Sequence, residues 1–125
     1  LIEVNVEKAW KRAEKQVARY FGAERTPLSG GNSRITRSDT THPSLFIEVK
    51  RFAPDGKYAN VERLFRETKG QAGVEHKTPV ICLKQHGAPG FLIITHCNDY
   101  LDVAQAIVDV QMAKHNPEEV KDGTS

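Results

Sequence analysis

Asp39, Glu48 and Lys50 are the residues whose types and spacing suit one piece of chemistry. Residues 45–52, L-F-I-E-V-K-R-F, read as a β-strand, rich in branched and aromatic side chains with turn formers just upstream. Side chains alternate faces along a strand, so Leu45, Ile47 and Val49 share one face. Phe46, Glu48, Lys50 and Phe52 share the other, which points Glu48 and Lys50 the same way. Asp39 lies nine residues before Glu48, beyond a T-T-H-P-S connection that can fold it back toward the strand. Two carboxylates and an ammonium converging on a strand end can hold a divalent metal and a water beside a phosphate. Each piece alone has a plainer explanation. Glu48 and Lys50 could be an ion pair on a half-exposed strand, Ser38-Asp39-Thr40 an Asx turn, and His42 a loop residue. Their conjunction, with Glu14 on an upstream helix, carries the argument.

The surrounding elements must position these groups. Asn5 can cap a helix to about residue 21, with Val6, Ala9, Trp10, Ala13, Val17 and Tyr20 or Phe21 as its buried stripe. Glu14 borders that stripe, and Gly22 ends the helix. Short strands are expected at 25–29, weakened by Pro27, and at 35–38. Between them S-G-G-N-S-R leaves backbone N–H groups uncovered, so the loop could approach a phosphate closely. Asn60 can cap a second helix to about residue 76, with Val61, Leu64, Phe65, Thr68 and Ala72 inward. Residues 79–84 and 91–95 read as buried strands. A last helix from Asn98 or Asp99 places Leu101, Ala104, Ile107, Val108 and Met112 on one face. The expectation is an α/β (α+β) fold: a mixed central sheet flanked by helices, in one domain spanning 1–115, with a disordered polar tail at 116–125.

The 125 residues suit one domain with a real core. The sequence shows no apolar run of membrane-spanning length and no signal-peptide pattern. Cys82 and Cys97 lack metal-ligand spacing and are expected as buried free thiols in an intracellular, cytoplasmic setting. Leu1 stands where an initiating Met would, so the chain is expected to begin after residues that precede it in the full product. The net charge of +2 conceals an asymmetry: residues 8–51 hold ten Lys and Arg against four Asp and Glu. Such a basic half suits a polyanion on one surface.

These residues resemble the PD-(D/E)XK nuclease superfamily. Ser38-Asp39 is similar to the first half of its motif, and Glu48-Val49-Lys50 to the second. Glu14 occupies the place of the extra helical acid of many members. The element order over about 6–95 resembles the superfamily's restriction-endonuclease-like αβββαβ core. The helical Glu, the Ser-Gly loop with Ser29, the Asp and the Glu-x-Lys look most like archaeal-type and phage Holliday junction resolvases. The sequence departs from the pattern twice. Ser stands before Asp39 in place of Pro, and the Gln carried on the following helix has no clear equivalent, Gln71 falling late.

The resemblance implies Mg²⁺-dependent hydrolysis of DNA phosphodiester bonds, with Mn²⁺ able to substitute. Asp39 and Glu48 would ligate the metal, with Glu14 and the Val49 carbonyl completing the shell. Lys50 would orient water or stabilise the transition state. Arg34, Arg37, Arg51 and the loop residues Ser29, Gly30, Gly31 and Asn32 would hold the DNA backbone. Junction resolution needs two matched incisions, hence a homodimer, with Ile93, Ile107, Val110 and Met112 as candidates for its surface. Two alternatives stay open: a sequence-specific restriction or homing endonuclease on the same core, and a non-catalytic nucleic-acid-binding module.

Overall fold

The strand expected at residues 45–52 forms with those bounds in the computed structural model, which describes residues 8–27, 36–52 and 60–115. The elements are α1 (Ala9–Tyr20), β1 (Leu45–Phe52), α2 (Val61–Val74), β2 (Thr78–Gln85), β3 (Leu92–Ile94) and α3 (Tyr100–His115). The fold is mixed α+β, with three helices and a three-stranded mixed sheet ordered β1-β2-β3. β1 and β2 are parallel, Leu45 opposite Thr78 through Phe52 opposite Gln85, a pairing that needs a crossover. α2 lies on that crossover and packs on β2 and β1. β3 returns antiparallel to β2 through a tight connection in which Gly87 and Gly90 adopt φ of 81° and 70°.

The two faces of β1 are used differently. Leu45, Ile47 and Val49 join Val80 and Cys82 in the core under Ala13, Val17 and Phe21 of the α1 segment and Val103 of α3. The face carrying Glu48 and Lys50 opens toward α2. α1 stops at Gly22, whose φ is 70°. A Cβ there would come within 2.7 Å of Val110 Cγ2, so both the turn and the approach of α3 require glycine.

Several expectations change. The strands expected at 25–29 and 35–38 lie partly outside the described residues. Of their described parts only Arg25 enters a bridge, an antiparallel one to Thr40, which lies beyond the second expected strand. Asn5, the expected cap, also lies outside, and α1 starts after Lys8. Trp10 is not core: it is 37% exposed, its ring flanked by the Lys11 ammonium and the Arg25 guanidinium. β3 is an exposed edge, not a buried strand, with Leu92 59% accessible. α3 buries Val103, with Ala106 and Ile107 packed beside it, and leaves Leu101, Val108 and Met112 outside. Apolar residues encircle this helix, so periodicity alone could not choose its inward face. Of the residues considered for a partner surface, Ile107 and Val110 therefore pack inward, while Ile93 and Met112 are exposed. Cys82 is buried and its thiol is pushed up to about 12 by burial and the charge of Asp39. Cys97 is a free thiol too, but an exposed one. The tail at 116–125 lies outside the described residues.

Candidate active site

Residues 36–42, T-R-S-D-T-T-H, are buried at Thr36, Ser38, Asp39, Thr40 and His42 without belonging to a regular strand. Buried backbone needs partners, and short polar side chains supply them. Thr36 Oγ1 accepts from the Ser38 N–H at 3.0 Å, and Thr40 Oγ1 from the His42 N–H at 3.3 Å. Ser38 Oγ accepts from the Ile47 N–H at 2.8 Å and donates to the Ile47 carbonyl at 3.1 Å. A proline before Asp39 could not make this bridge. His42 Nδ1 accepts from the N–H groups of Ser44 and Leu45, which starts β1. Burial, assisted by the nearby Lys77 charge, lowers its pKa and keeps the imidazole a neutral acceptor. Past the C-terminus of α2, Glu75 clamps the other end, accepting from the Thr36 hydroxyl and, at 2.9 Å, from the Arg37 N–H.

This lacing fixes Asp39 beside β1. Its N–H donates to the Ile47 carbonyl at 2.9 Å, its carbonyl accepts from Thr26 at 2.9 Å, and its Oδ2 accepts from the Val49 N–H at 2.7 Å. Asp39, Glu48, Val49 and Lys50 then line one cleft of about 420 Å³, together with Glu14 of α1 and Arg37. Lys50 Nζ stands 3.4 Å from Glu48 Oε1, with its side chain half exposed. Glu14 is 7% exposed and receives the Arg25 Nε–H at 2.7 Å, while the same guanidinium lies over the Trp10 ring.

The cleft carries more negative charge than its cations offset. Burial raises Asp39 to about 7, the charges of Glu48 and Glu14 adding to the rise, while the Val49 N–H and Lys50 oppose it. Glu48 is raised as well, by burial first and then by Glu14, against the pull of Lys50. Among the described residues no three His, Cys, Asp or Glu side chains are assembled as a metal-holding group. A buried and a partly buried carboxylate with raised pKa do fit a hard cation of the Mg²⁺ kind. Such ions keep several waters and are held by one or two carboxylates plus substrate phosphate.

The four residues singled out for chemistry thus meet in one cleft, with Val49 and Arg37. Arg51 does not: it lies on the opposite face of β1. Ser29, Gly30, Gly31, Asn32 and Arg34 lie outside the described residues. The sequence reading missed Arg25, whose pairing with Glu14 across eleven positions has no local signal. It placed Leu64 and Thr68 inward and set Gln71 aside as late, but did not foresee that with Glu67 they form the α2 wall of the cleft. Their spacing marks one helix face, and Gln71 belongs to the cleft despite its late place in α2. Comparison with protein-family models, with curated proteins and with solved structures gives no match.

Proposed function

We propose that this chain is a metal-dependent nuclease that hydrolyses DNA phosphodiester bonds, built on a restriction-endonuclease-like core of the PD-(D/E)XK type. One observation carries the reading: Asp39 and Glu48, both with raised pKa, share a cleft with the Lys50 ammonium. Their surplus negative charge invites a cation. Asp39 and Glu48 would hold Mg²⁺, or Mn²⁺ in its place, with Glu14 and the Val49 carbonyl as further oxygen donors. The ion, when bound, lowers the pKa of water and neutralises charge developing on the phosphate.

The chain's own groups do the rest. The Val49 N–H holds Asp39 Oδ2, leaving its other oxygen for the ion. Glu48 steadies the Lys50 ammonium, which can donate to the attacking water or to a phosphate oxygen as charge builds there. Arg37, at the rim, suits a flanking phosphate, positioning the strand without reading bases. Gln71 and Thr68 offer neutral polar groups on the opposite wall.

As substrate we favour branched DNA cut by a homodimer, because one small domain offers one such cleft and a junction needs two incisions. The exposed apolar residues of β3 and α3, including Leu92, Leu101 and Met112, offer a surface for the second copy. No helix among the described residues is long and apolar enough to cross a membrane. Supercoiled, linear and four-way-junction DNA incubated with and without Mg²⁺ tests the reading. Mg²⁺-dependent cutting with the junction preferred is expected. Binding with no cutting under either metal would make this a non-catalytic DNA-binding module. Sequence-dependent cutting of linear duplex would make it a restriction-type enzyme.

A further inference from the structure

β1 turns its two neighbouring cations to opposite faces: Lys50 into the carboxylate cleft, Arg51 toward α1. Arg51 there lines a second cavity, of about 550 Å³, between the first turns of α1 and the connection from β2 to β3. Arg12, Lys84 and His86 also line it, and among the described residues its wall contains no carboxylate. Arg51 and Lys84 are register partners on adjacent parallel strands, so two like charges stand side by side. Such a pair is unfavourable until an anion offsets it.

The surrounding bonds assign Lys84, His86 and Arg51 their parts. Lys84 Nζ donates to the carbonyls of Ala88 and Gly90, at 2.6 and 2.9 Å, and so closes the loop. The His86 N–H donates to the Phe52 carbonyl at 2.9 Å, anchoring the ring. Its Nδ1 meets Arg51 Nη2 and can accept only when the imidazole nitrogen is unprotonated. That contact aims the guanidinium while using one of its five N–H groups. The start of α1 faces the same cavity through Ala9. Among the described residues no side chain caps it, and its first turn holds no acidic residue, so the helix dipole adds to the positive field.

We propose that this cavity binds a phosphate group, and that its source is the backbone of the DNA cut at the carboxylate cleft. Arg51 and Arg12 ligate the anion, while His86 and Lys84 hold the guanidinium and the loop in place. Only the identity of the polyanion rests on the nuclease reading; the anion site itself does not.

Fluorescence anisotropy with labelled duplex and four-way-junction DNA tests this in EDTA, where a metal-dependent nuclease cannot cut. Wild type, Arg51→Gln and the more exposed Arg12→Gln are compared from about 50 to 200 mM salt. Each variant is expected to bind more weakly and to lower the logarithmic salt slope by about 1, one phosphate contact's worth. Millimolar inorganic phosphate should shift the Gly87 and Ala88 amide resonances in wild type and not in Arg51→Gln. Phosphate-dependent shifts with an unchanged salt slope would keep the anion site and overturn DNA as its source. An unchanged slope with no shifts would overturn the site itself. Wild-type protein that shows the slope effect yet cuts no DNA with Mg²⁺ would defeat the nuclease reading and leave this one standing.

Discussion

The Val49 N–H donates to Asp39 Oδ2 across 2.7 Å, tying the acid that precedes β1 to the strand that carries Glu48 and Lys50. Two residues ten positions apart thereby place three charged side chains in one cleft. The bond is one end of a ladder that Ser38 begins at Ile47, so the register of 38–39 along β1 decides where the carboxylate goes. A slip of one residue would turn Asp39 away from Glu48.

That placement has a consequence for stability. The Asp39 pKa is raised to about 7 in the folded chain, above the ordinary aspartate value of the unfolded one. Folded protein therefore binds the extra proton between roughly pH 4 and 7. Its contribution to stability is fully present below that window and lost as pH rises through it. In metal-free protein, Asp39→Asn should raise the melting temperature at pH 8 by several degrees, the gain fading toward pH 4. Thermal denaturation of both proteins in EDTA across that range checks this. A variant less stable than wild type at pH 8 would contradict the raised pKa of Asp39.

Lys50 holds an ion pair with Glu48 at 3.4 Å but is half exposed, so its removal should leave the fold intact. Lys50→Ala is expected to slow cleavage by roughly 100- to 1,000-fold, the usual effect of deleting one transition-state contact. Metal affinity measured by calorimetry should change far less. Loss of metal binding in a folded Lys50→Ala protein would make Lys50 part of the metal site instead.

Glu14 has Arg25 as its partner, and the pair is largely buried. Arg25→Gln leaves that carboxylate without its counter-charge, at a cost of roughly 1–3 kcal/mol. If Glu14 faces the ion, Mg²⁺ should restore more of the melting temperature in this variant than it adds to wild type. Equal increments in the two proteins would remove Glu14 from the metal shell.

Much of this was legible in the chain, for physical reasons. The strand at 45–52 combines β-branched and aromatic residues with the two-residue period of an extended chain, so both its bounds and its facing of Glu48 and Lys50 follow locally. Glu14, beside the buried Ala13 and Val17, reads by itself only as a paired residue, which its ion pair with Arg25 bears out; its place near that strand comes from the resemblance alone. What could not be read depends on contacts distant in sequence. Arg25 finds Glu14 and Trp10 only after the chain turns at Gly22, and Glu75 meets Thr36 and Arg37 from 39 and 38 positions away. In α3 the apolar residues run all round, and only the tertiary contacts, Val103, Ala106 and Ile107 at the core and Val110 against Gly22, show which side packs. β3 reads as buried from its composition, yet no described element covers its outer side.

The central claim, that Asp39 and Glu48 hold a catalytic metal, is tested most directly by nicking of supercoiled DNA. Wild type, Asp39→Asn and Glu48→Gln are assayed with Mg²⁺ and in EDTA, with folding confirmed by circular dichroism and DNA binding by anisotropy. Wild type should cut only with the metal. Both variants should bind DNA nearly as well and cut none, because each loses one oxygen ligand while keeping its shape. Undiminished nicking by either folded variant, or cutting by wild type in EDTA, would contradict the account.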